Sequence, residues 1–238
     1  MGLVKTRRLA AMQKQQRAIF LCPGSSSRPL RVGGQGGGLK TAMNPHFSRF
    51  NSPQRIGARG ERAVQEWLRY GLPAEYRLMN DVYLPLPDGT TTQIDHIVVS
   101  QFGVFVIETK NYSGWIFAGA DDSQWTQIFY HKKSRFQNPI HQNYKHICAL
   151  VENLGIDKAY FYNVVIFNGD CEFKTKMPEG VVSSRRAADY IRSFDRPMIK
   201  ASQVDELAEA IAEWQGTVGE ERKDNHVANL KKMRSLDK

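Results

Sequence analysis

QIDHIVVSQFGVFVIETKN, from Gln93 to Asn111, decides the fold. Two apolar, β-branched runs flank Gln101-Phe102-Gly103, the pattern of a β-hairpin. Asp95, Glu108 and Lys110 sit inside what should be buried strand. Charged side chains are almost never fully buried unless they are paired or bind a metal, so their placement asks for a functional explanation.

Alternate residues of a strand share a face, so Glu108 and Lys110 point the same way. A Gln101-Phe102 turn pairs Asp95 with Glu108, whereas a Phe102-Gly103 turn sets Asp95 against Lys110 with Glu108 on the diagonal. Both registers put all three on one face, with opposed Cβ atoms about 4.5–5.5 Å apart. The rest of that face is Ile97, Val99, Val104 and Val106, and the other carries Ile94, Val98, Phe105 and Ile107. A strand apolar on both sides belongs to a central sheet covered on each face, here by helices. Two carboxylates in such a place repel, and one takes up a proton unless a cation or Lys110 compensates. Hard divalent ions prefer oxygen, and Mg²⁺ needs only one or two protein carboxylates besides water and phosphate. The expected chemistry is metal-assisted phosphodiester hydrolysis. Asp95 and Glu108 would hold Mg²⁺ or Mn²⁺, and Lys110 would orient water or stabilise developing charge. The bland alternative is an exposed strand end with a surface ion pair of little worth.

Outward from the hairpin, a helix is expected from Gly60-Glu61 to about Tyr70, with Ala63, Val64, Trp67 and Leu68 at helical spacing. Glu61 lies within about 60° of Val64 and Leu68, while Glu66 falls roughly opposite. Glu61 is therefore either an inward-facing site carboxylate or a first-turn acid favoured by the helix dipole. Strands are expected near 77–84, 92–100, 104–110, 124–130, 163–167 and 180–184. Asn138-Pro139 starts a helix whose face Ile140, Tyr144, Ile147, Val151 and Leu154 ends at Gly155. Further helices are expected at about 186–194 and 203–215.

The segments Gly57-x-x-Gly60-Glu61, Gln93-Ile94-Asp95-His96 and Gly103-Val104-Phe105-Val106-Ile107-Glu108-Thr109-Lys110-Asn111, followed by Ser113-Gly114, resemble the nuclease-related domain, or NERD. That family is placed within the PD-(D/E)xK nuclease superfamily, and the resemblance covers about Pro53 to Phe194. It implies an α/β fold with a restriction-endonuclease-like core, a central mixed sheet flanked by helices. It also implies Asp95 and Glu108 as metal ligands, Lys110 as the catalytic lysine and Glu61 as an auxiliary acid. A further polar family position resembles Gln142, although on a regular helix Gln142 lies roughly 160° from the centre of the apolar face. The implied partner is DNA or RNA. A non-catalytic nucleic-acid-binding or regulatory module that keeps the fold is the rival.

Lys132, Lys133 and Arg135, interleaved with Phe129, Tyr130 and Phe136, form a basic and aromatic cluster suited to phosphates and unpaired bases, or a solvated loop. His96 points away from Asp95 and is expected to be a packed core histidine. His141 and His146 are five apart and do not share a helical face, which weakens a histidine metal site. The Gly33–Gly38 run lacks the strand and the Lys-Ser/Thr ending of a phosphate loop.

The net charge of +9 belongs to the start of the chain. Residues 1–50 hold nine basic residues and no Asp or Glu; removing them from 33 leaves 24 basic against 24 acidic. Bulk charge therefore does not argue for nucleic acid binding by the domain. Three scattered cysteines indicate neither a disulfide framework nor a cysteine zinc site and fit a reducing, cytoplasmic setting. No apolar run is long enough for a membrane helix. Residues 1–52 read as a disordered basic arm. They fit a flexible nucleic-acid-binding arm, an organelle-targeting presequence, or a start assigned upstream of Met43. The nuclease-like domain is expected at 53–198, and a charged helical extension at 199–238.

Overall fold

The computed structural model describes residues 53–214; the basic arm, Met43 and the charged end beyond 214 lie outside them. Helix α1 (Pro53–Gly71) precedes strands β1 (Arg77–Pro85), β2 (Thr91–Ser100) and β3 (Gly103–Asn111). Strands β4 (Gly114–Phe117), β5 (Gln124–Phe129) and β6 (Lys132–Gln137) lead to α2 (Pro139–Leu154). Strands β7 (Phe161–Asn168), β8 (Cys171–Phe173) and β9 (Val181–Ser183) follow, then α3 (Ala187–Arg192) and α4 (Ala201–Ala212).

The β2–β3 hairpin lies at the centre of a five-stranded mixed sheet ordered β1-β2-β3-β7-β9. β1, β2 and β3 are antiparallel, while β7 runs parallel to both β3 and β9. Ser100 pairs with Gly103 and His96 with Ile107, so the turn is Gln101-Phe102, the register that sets Asp95 against Glu108. Gly103 has φ 134, and a Cβ there would come within 2.5 Å of the Tyr162 ring. Only glycine suits that approach.

Both sheet faces are covered. On one, Ile97, Val99, Val104 and Val106 pack with Ile147 and Leu150 of α2 and with Val204, Ala208 and Ile211 of α4. On the other, Phe105 stacks on Tyr162 at 5.0 Å and meets Phe194 edge-on at 5.1 Å. α4 thus completes the core beyond residue 198, with Arg77 bonded to Asp205 at 2.6 Å. Ile94 departs from the expected alternation and joins the α2-side cluster. Its neighbour across the ladder is Val82, next to Asp81 at φ 52.

A second sheet, ordered β6-β5-β4-β8, is largely absent from the sequence reading, which anticipated β5 alone. β4, β6 and β8 are short or polar, so their hydrophobic period is weak. Its inner face, Ile116, Trp125 and Phe136, packs on Val165 and Phe167. Among the described residues no helix is long and apolar enough to cross a membrane.

Candidate active site at the end of the central hairpin

Backbone pairing of β2 with β3 ends at His96–Ile107. Beyond it, the Thr109 N–H donates to Asp95 Oδ2 at 2.8 Å, so a side chain replaces a rung of the ladder. Asp95 is thereby held beside β3 where Glu108 and Lys110 turn towards α2. Glu108 is only 4% exposed. Its Oε1 accepts from Lys110 Nζ at 2.6 Å, and its Oε2 lies 3.5 Å from His146 Nε2. Lys110 Nζ also donates to Gln142 Oε1 at 3.0 Å. The ammonium is therefore clamped between a strand carboxylate and a helix amide.

The phase of α2 makes this contact, and it differs from the expected one. The buried side is Asn143, His146, Ile147 and Leu150, while Ile140, Tyr144, Val151 and Leu154 are only half-buried. Asn143 sets the rotation. Its Nδ2 donates to Val106 O at 2.8 Å, to Val164 O at 3.1 Å and to Asn163 Oδ1 at 2.9 Å, on two adjacent strands. Asn138 fixes the helix start, capping Ile140 N at 2.9 Å and donating to Asp122 O at 2.7 Å. With the helix so turned, Gln142 and His146, one turn apart, flank the site. Sequence spacing does not single out His146, because its neighbour on the site-facing side of α2 is Gln142 and not another histidine. Thr92 holds its other ring nitrogen, Nδ1, at 2.9 Å.

α1 brings Glu61. It starts at Pro53 and has no acid in its first turn, so the helix-dipole explanation of Glu61 falls away. Val64 and Leu68 are buried as expected, but Trp67 is 48% exposed. A Cβ on Gly60 would come within 2.5 Å of Asn111 Cβ, and Asn111 Nδ2 donates to Ile56 O at 2.7 Å. The helix thus rests against the end of β3 through a glycine, one residue from Glu61. The charge of Glu61 is felt at both Asp95 and Tyr83.

The electrostatics are uneven. Burial and the neighbouring Glu108 charge hold Asp95 well above the usual carboxylate range, against the Thr109 N–H and Lys110. Burial also pushes Glu108 upward, but His146 and Lys110 outweigh it and leave it lowered. Lys110 is disfavoured by burial, yet the Glu108 carboxylate raises it, so the ammonium stays charged. Burial, with Asp81, Glu61 and Asp95 nearby, lifts Tyr83 to about 12.

Asp95 and Glu108 are the side chains whose carboxylate oxygens could hold a hard cation. Burial and the Glu108 and Glu61 charges around Asp95 leave room for a compensating positive group there. Among the described residues no three His, Cys, Asp or Glu side chains gather to hold a metal by themselves.

The structure therefore brings Asp95, Glu108, Lys110 and Gln142 together, with the charge of Glu61 near enough to act on Asp95. Lys132, Lys133 and Arg135 are elsewhere, exposed on β6 of the second sheet. His96 is a packed core histidine, with Nδ1 2.7 Å from Asn80 Oδ1.

A mixed sheet flanked by helices, with an acidic and lysine-bearing hairpin at its centre, defines a restriction-endonuclease-like α/β core. Residues 56–168 match the family model of the nuclease-related domain, and this segment is a nuclease-related domain. An uncharacterized protein of Bacillus anthracis is 49% identical over 122 residues, 51% of this chain and 57% of that protein. The matched region thus spans little more than half of that relative's length.

Proposed function

We propose that this protein is a divalent-metal-dependent nuclease that hydrolyses phosphodiester bonds of DNA or RNA. The observation that carries this reading is the clamp on Lys110, whose Nζ lies 2.6 Å from Glu108 Oε1 and 3.0 Å from Gln142 Oε1 on the face that bears Asp95. Asp95 and Glu108 would hold Mg²⁺ or Mn²⁺, which when bound acidifies a water and offsets phosphate charge. Lys110, kept charged by Glu108, does not act as a base. It presents an ammonium to the scissile phosphate and to the charge that grows on it in the transition state. Gln142 takes one of the three ammonium hydrogens and so sets where the others point. Glu61 adds negative charge beside Asp95 and supports the cation from the α1 side. His146, anchored by Thr92, steadies Glu108.

The test is cleavage of single-stranded, duplex and branched DNA and RNA by the full chain in Mg²⁺ or Mn²⁺, beside Asp95→Ala and Lys110→Ala. Parent activity that both variants lose supports the proposal. Equal cleavage by parent and variants sinks the site, and binding without cleavage favours the regulatory module.

A further inference from the structure

The second sheet has an outer face that the site does not use. Ile116, Trp125 and Phe136 point into the core, and alternation turns their neighbours outward. The register then builds two rows across three strands. Trp115 pairs with Ile128, and Ile128 with Lys133; Phe117 pairs with Thr126, and Thr126 with Arg135. Trp115 is 49% exposed and Phe117 36%, and Lys133 and Arg135 are exposed. On the β8 side, Lys174 Nζ stands 4.6 Å from the centre of the Trp115 ring. Glu172, paired with Trp115 across β4 and β8, is bonded to Lys174 at 2.6 Å. Lys133, Arg135 and Lys174 against Glu172 leave these positions net positive.

Two exposed rings, two residues apart on one strand and bordered by cations, match the needs of unpaired nucleotides. Bases stack on aromatic faces, and phosphates meet the Lys and Arg groups. A duplex keeps its bases stacked inside and would reach only the cations. A second copy of this chain would oppose two faces of the same charge, and residues 1–50, with no acid, carry that charge too. The face also lies close to the candidate site. Trp115 follows Lys110 by five positions, a chain reach of at most about 18 Å.

We propose that this outer face, centred on Trp115 and Phe117 with Lys133 and Arg135, binds single-stranded nucleic acid. On the nuclease reading, it makes a strand with unpaired bases the substrate class, and the platform holds that strand next to the cleaved bond.

Binding is measured with the full chain in EDTA, so that cleavage plays no part. Anisotropy of labelled oligo-dT, oligo-U and a duplex of equal length supplies the affinities. The parent should prefer the single strands. Trp115→Ala should weaken single-strand binding about tenfold or more, with a smaller change for duplex. Trp115→Phe should keep most of the affinity, and Trp67→Ala, on α1, all of it. Lys133→Glu with Arg135→Glu should weaken binding and flatten its salt dependence. Unchanged single-strand affinity in Trp115→Ala, equal losses for single strand and duplex, no rescue by phenylalanine, or a Trp115-dependent dimer in sedimentation would each overturn the proposal. Thermal melts check folding; if Trp115→Ala does not fold, Phe117→Ala and Trp115→Phe decide by the same comparison. Binding through this face without cleavage in Mg²⁺ keeps the platform and rejects the nuclease, and cleavage with the face irrelevant does the reverse.

Discussion

Asp95 is held at the site at the expense of stability. Its folded pKa is raised, so the folded metal-free chain binds a proton more tightly than the unfolded chain. Stability therefore falls as pH rises from the ordinary carboxylate range through the raised value. Asp95→Asn removes the charge while its Oδ1 still accepts from Thr109. We expect the metal-free variant to melt a few degrees higher near neutral pH, at roughly 2–4 °C per kcal/mol, and Mg²⁺ to raise the melting temperature of the parent alone. Calorimetry with and without Mg²⁺ measures both. Lys110→Met should do the opposite. It leaves Glu108 buried without its nearest cation, a loss on the order of 3 kcal/mol, read from urea unfolding, and it should abolish cleavage.

Among the elements, α1 depends on one missing side chain. Gly60→Ala places a Cβ 2.5 Å from Asn111 Cβ and 2.9 Å from Asn111 Cγ, so helix or strand must give way. A loss of about 1–3 kcal/mol is expected, with weaker cleavage because Glu61 moves with the helix; urea midpoints beside Gly57→Ala, where the nearest atom is Glu61 Oε1 at 3.7 Å, separate the two effects. α2 depends on a polar contact. Asn143→Leu removes donors to two buried carbonyls, Val106 O and Val164 O, at about 1–3 kcal/mol for each group left unsatisfied. It should also free the helix to turn and loosen the hold of Gln142 on Lys110. Hydrogen exchange of α2 is the readout. The apolar pattern of α2 gave its ends, at Asn138 and Gly155, but not its rotation, because the residue that sets it is polar.

The whole molecule has an acid-sensitive centre. His96 is buried and neutral, its pKa pushed down by burial to about 4 from an ordinary 6.5. Below pH 6.5 the unfolded chain gains a proton that the folded chain refuses, so stability falls until about pH 4. That loss is on the order of 3 kcal/mol. His96→Gln, which can still bond Asn80, should flatten the difference between melts at pH 7 and pH 4.5. Equal slopes for parent and variant would contradict it.

By itself, the sequence determined the hairpin and the shared face of Asp95, Glu108 and Lys110. Strand alternation and turn composition are local, so they can be read along the chain. It also located the excess charge outside the domain. The register, His146, the turn of α2 that brings in Gln142, and the three-strand rows of the second sheet were decided by tertiary structure alone. Each depends on a contact between segments far apart in the chain. Asn143 reaching Val106 and Val164 is one, and the pairing of Trp115 with Ile128 and of Ile128 with Lys133 is another. No period in the sequence encodes a contact of that kind.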